Sequence, residues 1–166
     1  MTQASQLDAI DLAILRLLQT HGRLSNLELA AKVGLSASPC SRRVKALEEA
    51  GYIADYVTRL APQKFNLHLT AYVQVRMEKH SPDILAQFEA NILSYDEVQE
   101  CALITGAEAD YQLKVLVEDM SHFRVFLLDK LTTNTHIAGV HSSFILKSVK
   151  DQTSIPLGHV VIQTSD

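Results

Sequence analysis

The sequence is poor in the residues that mark several protein classes. Its 166 residues include no tryptophan, two cysteines, four prolines and six glycines. So little glycine and proline excludes a collagen-like chain, and two cysteines are too few for a disulfide scaffold. No apolar run approaches the roughly 18 residues that a membrane helix needs, and the first residues lack the basic segment of a signal peptide. We therefore expect a cytoplasmic protein with reduced thiols and no membrane contact.

The composition is that of an ordinary globular protein with an uneven charge. Hydrophobic residues make up 47% and charged residues 20% of the chain, which excludes wholesale disorder. The formal net charge of −4 argues against a generally basic nucleic-acid binder. However, residues 1–60 hold seven Lys/Arg against six Asp/Glu, a net +1, and residues 61–166 carry a net −5. This asymmetry indicates two modules with different partners.

Two helices are predicted at the start of the chain. The first covers residues 8–20, with Asp8 as its N-cap and Gly22 ending it in a left-handed conformation. The second follows a capping box at residues 25–28, in which a serine hydroxyl and a glutamate satisfy early backbone N–H groups. Gly34 stands at the position where a glycine ends such a helix.

A third helix opens after a very short turn and is closed by Gly51. Its apolar residues share one face, and the opposite face carries Ser38, Ser41, Arg42, Lys45 and Glu49. The apolar face consists of Cys40, Val44 and Leu47. Two helices joined by a tight glycine turn, with another packed behind, form a helix-turn-helix. From these residues alone, a three-helix packing unit with a solvated polar face is the alternative.

The rest of the chain alternates between strand and helix patterns. Residues 52–68 contain a β-prone stretch, Tyr52–Leu60, which we interpret as a strand and hinge joining the modules. Further strands are predicted near 71–77, 97–105, 111–117 and 140–149, with helices opened by Ser81-Pro82 and by Ser121 and a turn at 106–109. The order βαββαβ is ferredoxin-like. One sheet face would be covered by two helices, and the other is expected to dimerise, solvation being the alternative.

Several motifs occur in one order along both modules: Gly22-Arg23-Leu24-Ser25-Asn26, Leu35-Ser36-Ala37-Ser38-Pro39-Cys40, Gly51-Tyr52-Ile53, Thr105-Gly106, Asp110-Tyr111 and Ile155-Pro156-Leu157. As a set they resemble the Lrp/AsnC (leucine-responsive/asparagine-regulator) family of bacterial and archaeal transcription factors, over about residues 7–158. The resemblance implies sequence-specific binding of double-stranded DNA. It also implies amino-acid effectors held between second modules, and homodimers that assemble into homo-octameric rings.

The predicted organisation is therefore an α+β protein of two domains. An N-terminal helix-turn-helix (winged-helix-like) DNA-binding domain covers residues 1–53, and a strand/hinge linker covers 54–68. A C-terminal ferredoxin-like βαββαβ sensing and oligomerisation domain covers residues 69–158, followed by a tail, 159–166. We expect no catalytic residue, no metal and no cofactor.

Several residues on the third helix have side chains that can contact DNA. Arg42 and Lys45 can neutralise phosphates, and an arginine can also grip guanine O6 and N7 with two hydrogen bonds. Arg43 lies between the two faces, so a phosphate contact or a structural salt bridge is expected of it. A dimer would present two such helices to pseudo-palindromic half-sites. The predicted DNA-contacting set is completed by Ser36, Ser38, Pro39 and Ser41.

An amino-acid effector needs an anion for its ammonium group and N–H donors for its carboxylate. Asp110 can supply the anion and the turn at Gly106 the donors, although ordinary hairpin chemistry is the alternative explanation of both residues. The resemblance favours an apolar amino acid such as leucine or methionine. By resemblance, the effector-binding set is Leu103, Thr105, Gly106, Asp110 and Ser143.

The sequence departs from the family pattern at two places. The usual Gly-x-x-Asp-Tyr turn is one residue longer here, running from Gly106 to Tyr111, and Ala138 stands where a proline usually precedes a Gly-Val pair. An effector-independent architectural DNA-binding protein of the same fold, with the longer turn closing the pocket, is therefore an alternative function.

The residues that could support catalysis, metal binding or a thiol switch do not form a recognisable motif in the sequence. A small ferredoxin-like enzyme is disfavoured because the sequence shows no nucleophile or acid/base cluster. The seven histidines lack metal-ligand spacing. Cys40 is expected to be a small core residue, and a thiol switch at this position has no CxxC motif to support it.

Overall fold

A computed structural model describes residues 7–106 and 108–160. The description leaves out residues 1–6, 107 and 161–166. Residue 107 belongs to the lengthened turn, and residues 161–166 belong to the predicted tail. The chain divides into two units. One contains the described residues up to Arg59 together with the described residues from Lys150 onward, and the other runs from Leu60 to Val149.

Helix α1 spans Ala9–Leu18 and begins where the sequence predicts. The Asp8 carboxylate accepts hydrogen bonds from two backbone N–H groups of the first turn, at 2.8 and 2.9 Å, so the predicted N-cap is confirmed. The predicted end is wrong: Gln19 closes the helix with right-handed torsions, and Gly22 does not adopt a positive φ. Because the chain leaves the helix three residues before the glycine, no left-handed residue is needed there.

Helices α2 (Asn26–Val33) and α3 (Ala37–Glu49) are joined by the predicted tight turn. Ser25 forms the capping box with the glutamate three residues later. Gly34 ends α2 at a φ of 72°, and Gly51 follows α3 at a φ of 76°. Both glycines thus occupy the left-handed region that other residues rarely adopt, as the sequence predicts.

All three helices contribute to the core of the first unit, whose buried residues are Ile14, Leu29, Ala30, Cys40 and Leu47. The half-buried Val44 packs against this cluster. The predicted apolar face of α3 is therefore confirmed. The same packing leaves the opposite face of α3 in solvent.

The segment after α3 does not form the predicted strand Tyr52–Leu60. From residue 53 to 61, the described chain has no β pairing. A strand requires a neighbouring segment that exchanges backbone hydrogen bonds with it, and no described segment does so here. The contacts of this segment are made by side chains instead. The Tyr56 hydroxyl donates to Glu48 Oε1 at 2.9 Å, and Arg59 forms an ion pair with Asp151.

The second unit is built on a four-stranded antiparallel sheet and begins with a 3₁₀ turn at Pro62–Phe65. Its strands are β1 (Leu69–Met77), β2 (Val98–Leu103), β3 (Tyr111–Val117) and β4 (Ile137–Phe144). They lie in the order β2-β3-β1-β4. With a helical segment after β1 and another after β3, this is the predicted βαββαβ arrangement.

Strand β4 ends earlier than the predicted 140–149. Its neighbour is β1, and the last backbone bond between them runs from Ile145 N to Thr70 O at 3.0 Å. Beyond Phe144, β1 has almost no residues left to pair with, and Leu146 is 99% exposed. The predicted end of β4 is wrong, because the length of β1 decides where β4 stops pairing.

Two helical segments cover one face of the sheet. Helix α4 spans Pro82–Leu93 after Ser81, as predicted. Helix α5 spans Met120–Val125 and continues through a π-helical turn. The prediction that Ser121 opens it is wrong, because the Asp119 carboxylate accepts a 2.9 Å hydrogen bond from a first-turn N–H and is the N-cap. Of the helices in the described part of the chain, none is long and apolar enough to cross a membrane.

The core of the second unit lies between these helices and the sheet. It includes alternate residues of the central strands, Ala71, Val73, Val75, Tyr111, Leu113 and Val115, and helical residues Phe88, Ile92, Phe123, Phe126 and Leu131. The intervening strand residues point to the other side of the sheet. We call that side the open face; it carries Tyr72, Gln74, Arg76, Gln112 and Lys114.

Candidate functional site

The exposed face of α3 surrounds a shallow depression of about 440 Å³ in the first unit. Its lining residues are Asn26, Ala37, Ser38, Ser41, Arg42 and Lys45. Ser36 is exposed at the N-cap, and Pro39 is half-buried in the first turn. Lys45 lies 3.6 Å from Glu49, an exposed pair that contributes little in water. Two cations and two hydroxyls thus share one solvent-facing surface, as a phosphate- and base-contacting helix requires.

Asn26 also belongs to this surface, a position that its place in the sequence does not predict. Its Nδ2 donates to the carbonyl oxygen of Ala37 at 2.8 Å, which ties the first residue of α2 to the first residue of α3. The sequence gives no signal for this contact, because the two residues belong to different helices.

Arg43 points away from this surface and towards α1. Its Nη1 donates to Asp8 Oδ2 at 2.7 Å and to Asp11 Oδ1 at 2.8 Å. Burial works against ionisation, but the N–H of Asp11 and the guanidinium together hold the pKa of Asp8 below its usual value. The structure thus provides the salt-bridge role that the sequence left open for Arg43.

Cys40 lies on the buried face of α3 and is fully buried. Burial raises the pKa of its thiol, and a raised pKa disfavours the reactive thiolate. Its environment is that of a core residue, as predicted from the sequence.

In the second unit, Asp110 holds the start of β3 against the end of β1. Its Oδ2 accepts from Met77 N at 2.7 Å, its Oδ1 lies 2.8 Å from His80 Nε2, and its own N–H donates to Val75 O at 2.9 Å. The Met77 N–H above all, with His80 and Arg76, holds the pKa of the Asp110 carboxyl below its usual value. Both carboxylate oxygens are therefore engaged, and His80 is a neighbour that spacing in the sequence could not reveal.

Three other predicted effector residues lie at the end of β2 and in the turn that follows it, where Ile104 N donates to the backbone oxygen of Asp110 at 2.7 Å. Leu103, Thr105 and Gly106 are all exposed, and Leu103 pairs with Tyr111. Gly106 does not adopt a positive φ, and a Cβ there would meet no atom within 4 Å. In this structure, neither backbone strain nor crowding requires glycine at this position.

Ser143 is separated from these residues. It lies on β4 opposite Tyr72, whereas Leu103 lies on β2. These two strands form the opposite edges of the sheet, three inter-strand spacings or about 14 Å apart. A single chain therefore does not bring Ser143 to the turn.

Ala138, the second departure from the family pattern, is the extra residue of a bulge between β1 and β4. A bulge is one of the few places in a sheet that accepts proline, because the extra residue is left out of the ladder. Alanine can take the same place.

Comparison with known protein families gives two matches, one in each half of the chain. Residues 7–54 match the model of a winged helix-turn-helix DNA-binding domain. Residues 70–155 match the model of the Lrp/AsnC ligand-binding domain.

Similar proteins extend over nearly the whole chain. A Bkd operon transcriptional regulator of Pseudomonas aeruginosa is 44% identical over 92% of this chain and 99% of its own length. The leucine-responsive regulatory protein of Escherichia coli is 36% identical over 90% of each chain. The crystal structure of a Neisseria meningitidis transcriptional regulator in complex with L-Met superposes with a TM-score of 0.89 and 41% identity, covering 93% of this chain and 99% of that one.

Proposed function

The chain belongs to the Lrp/AsnC family of DNA-binding transcriptional regulators, and from that premise we propose that α3 inserts into the major groove of a pseudo-palindromic operator. The observation that carries this assignment is the surface around the α3 depression, where Ser38, Ser41, Arg42 and Lys45 are exposed opposite a buried apolar face. Arg42 reads a guanine edge or a phosphate, and Lys45 contacts phosphate. Ser36 and Pro39 approach the backbone at the start of the helix.

The test of DNA binding is the paired variant Arg42→Ala plus Lys45→Ala. Binding of the full chain to a duplex selected from a random-sequence pool is measured by fluorescence anisotropy at several salt concentrations. We expect a loss of affinity of at least tenfold and a salt slope smaller by about two, since two phosphate-directed cations are removed. Lys32→Ala plus Arg16→Ala removes the same charge from α1 and α2 and is the control. Unchanged affinity in the α3 variant would contradict the assignment.

The second unit is proposed to sense an apolar amino acid such as leucine or methionine. Support comes from the match to the ligand-binding domain and from the L-Met complex of the similar Neisseria regulator. The proposed site includes the turn at Thr105 and Gly106, with Leu103 beside it, and Ser143 supplied by another subunit, because one chain keeps it at the far edge of the sheet.

A thermal-shift screen against the twenty amino acids tests this sensing role. A ligand present at about 100 times its Kd adds roughly 2.7 kcal/mol of apparent stability. A shift for one or two related apolar amino acids is expected, and no shift for any of the twenty would contradict it.

The proposed assembly is a cytoplasmic homodimer that forms a homo-octamer and has no catalytic activity. An uncovered antiparallel sheet face is a common dimerisation surface, and the open face meets this description. Light scattering of the purified chain measures the assembly directly; a monomeric mass at micromolar concentration would contradict it.

One observation favours the effector-independent alternative. Asp110, the anion expected to bind an effector ammonium group, already has both carboxylate oxygens engaged by Met77 and His80. The two functions differ in one measurable property, which is the response of operator affinity to an amino acid.

A further inference from the structure

The side-chain amide of Asn26 joins the two helices that border the α3 depression. Its Nδ2 donates to the main-chain oxygen of Ala37 at 2.8 Å. A carbonyl oxygen accepts hydrogen bonds and cannot donate them, so the nitrogen of the amide must be the atom that faces Ala37. Asn26 is the first residue of α2, and Ala37 is the first residue of α3. This contact between the helices therefore fixes the orientation of the whole amide group.

Part of this amide remains without a partner. An asparagine side chain carries two N–H donors and one acceptor oxygen, and Ala37 uses one of the donors. Among the residues that the structure describes, none forms a further hydrogen bond with the second N–H or with Oδ1. Asn26 is exposed and lines the α3 depression together with Arg42 and Lys45. A donor held in a fixed position thus stands beside two cations.

The charges around the α3 depression favour an anion as its occupant. Arg42 and Lys45 line it, and the described lining residues include no carboxylate. Glu49 lies 3.6 Å from Lys45, but this pair offsets little of the positive charge because both side chains are at least two-thirds exposed to water. The anions that DNA presents are its phosphates, whose oxygens accept hydrogen bonds. The free N–H of Asn26 therefore matches a phosphate.

We propose that the second N–H of Asn26 donates to a phosphate of the operator, so that α2 as well as α3 is fixed to the DNA backbone. Neutral side chains such as asparagine make contacts of this kind, which set the register of a protein on the duplex. Because Ala37 already holds the amide in place, little side-chain entropy is lost when the phosphate binds. The inference rests on the proposed DNA binding by α3 and adds a contact from α2 to it.

The test compares Asn26→Ala with the unaltered full chain, by fluorescence anisotropy on the selected duplex at several salt concentrations. We expect the affinity to fall about fivefold or more, because a hydrogen bond to a charged acceptor is lost. The salt slope should stay the same, because a neutral amide releases no counterion. If Asn26 only positions α3, its loss disturbs the contacts of Arg42 and Lys45, and the slope falls with the affinity. A salt slope smaller by about one or more would therefore overturn the proposal.

A second measurement locates the contact on the DNA. Each phosphate of the duplex is replaced in turn by a neutral methylphosphonate, and binding of the unaltered chain and of Asn26→Ala is measured. At one phosphate in each half-site, the replacement should weaken the unaltered chain severalfold and Asn26→Ala by less than about twofold, since that variant has already lost the contact. If every replacement affects the two chains equally, Asn26 contacts no phosphate and the proposal is wrong.

Gln19→Ala is the matched control. The Gln19 amide belongs to the same unit and donates to a distant main-chain oxygen, Ile155 O, at 3.3 Å, but it does not line the α3 depression. Its loss should leave DNA binding unchanged. Asn26→Gln keeps both N–H donors and should recover part of the affinity; binding no tighter than that of Asn26→Ala would count against a donor role.

Melting curves show whether each variant is folded, and little change is expected because Asn26 is exposed. Asn26→Leu, which is similar in shape and has no donor, takes the place of Asn26→Ala if that variant does not fold. If Arg42→Ala plus Lys45→Ala also binds as the unaltered chain does, DNA binding by α3 fails and the Asn26 contact fails with it. If that variant loses affinity while Asn26→Ala does not, only the Asn26 contact is wrong.

Discussion

The Asp110 carboxylate joins the lengthened turn to the end of β1 and the segment after it through two contacts, with the Met77 N–H and with His80. Its pKa is lowered in the folded chain, chiefly by the Met77 N–H. A carboxyl with a lowered folded-state pKa stabilises the fold fully above its unfolded-state pKa of about 3.9 and loses that contribution as the pH falls through the folded-state value. Asp110 therefore contributes to stability near neutral pH and not in strong acid.

We expect Asp110→Ala to lower the free energy of unfolding by about 1–3 kcal/mol at pH 7, since it leaves the Met77 N–H without its charged acceptor. The difference from the unaltered chain should shrink as the pH falls below about 4. Urea denaturation across this pH range measures it. Asp110→Asn keeps an oxygen for the Met77 N–H and should lie between the two. A difference that stays constant into strong acid would show that the charge of Asp110 is not involved.

Arg43 and Arg42 are neighbours in sequence with different surroundings. Arg43 is two-thirds buried and bonded to Asp8 and Asp11, whereas Arg42 is exposed beside the α3 depression. Arg43 therefore holds α3 against the start of α1, whereas Arg42 is exposed, as the proposed DNA contact requires.

We expect Arg43→Gln to cost about 1 kcal/mol of stability, since its pairs are only partly buried, and to leave the salt slope of DNA binding unchanged. Arg42→Gln is the matched comparison: its stability should change by less than about 0.5 kcal/mol, and its salt slope should fall by about one. Urea denaturation and anisotropy titrations separate the two effects. The opposite assignment of effects would refute this division of roles.

Among the elements, the α2–α3 turn depends on one left-handed residue. Gly34 has a φ of 72°, and a Cβ there would meet nothing within 4 Å, so any penalty for a side chain comes from the backbone alone. Gly22 has no positive φ, and the nearest atom to a Cβ there is Leu18 O at 3.8 Å, an ordinary contact.

We therefore expect Gly34→Ala to destabilise the first unit by about 1 kcal/mol. Gly22→Ala should be neutral or stabilising by up to about 0.5 kcal/mol, because alanine restricts the unfolded chain. Thermal unfolding of both variants checks the contrast. Equal effects at the two glycines would contradict the assigned conformations.

Most helix caps and the buried helix faces could be predicted from the sequence because they depend on residues within one turn of each other; the ends predicted at Gly22 and Ser121 are the exceptions. Asp8, Ser25 and Gly34 act through neighbouring backbone groups. The missing strand at 52–60 and the early end of β4 could not be predicted, because both depend on which segment lies alongside. The candidate site on α3 also depends on contacts between segments. The separation of Asn26 and Ala37 in the sequence does not indicate that the two residues are in contact.

Across the whole molecule, the net charge is distributed unevenly along the chain. The first 60 residues carry a net +1 and the remainder a net −5, so DNA affinity depends on where a few cations stand rather than on total charge. The two cationic phosphate contacts proposed for each chain, from Arg42 and Lys45, would give modest affinity, which an oligomer with several α3 helices would raise by avidity. An amino acid changes this affinity only if it binds two arrangements of the oligomer unequally.

The measurement that tests the central claim most directly is the Kd of the full chain for its selected duplex, by anisotropy at fixed salt and protein concentration, with and without each of the twenty amino acids. The account predicts that one apolar amino acid, or a few related ones, changes this Kd by about fivefold or more. A Kd that is the same in the presence of every amino acid would contradict it and would identify the chain as an effector-independent DNA-binding protein.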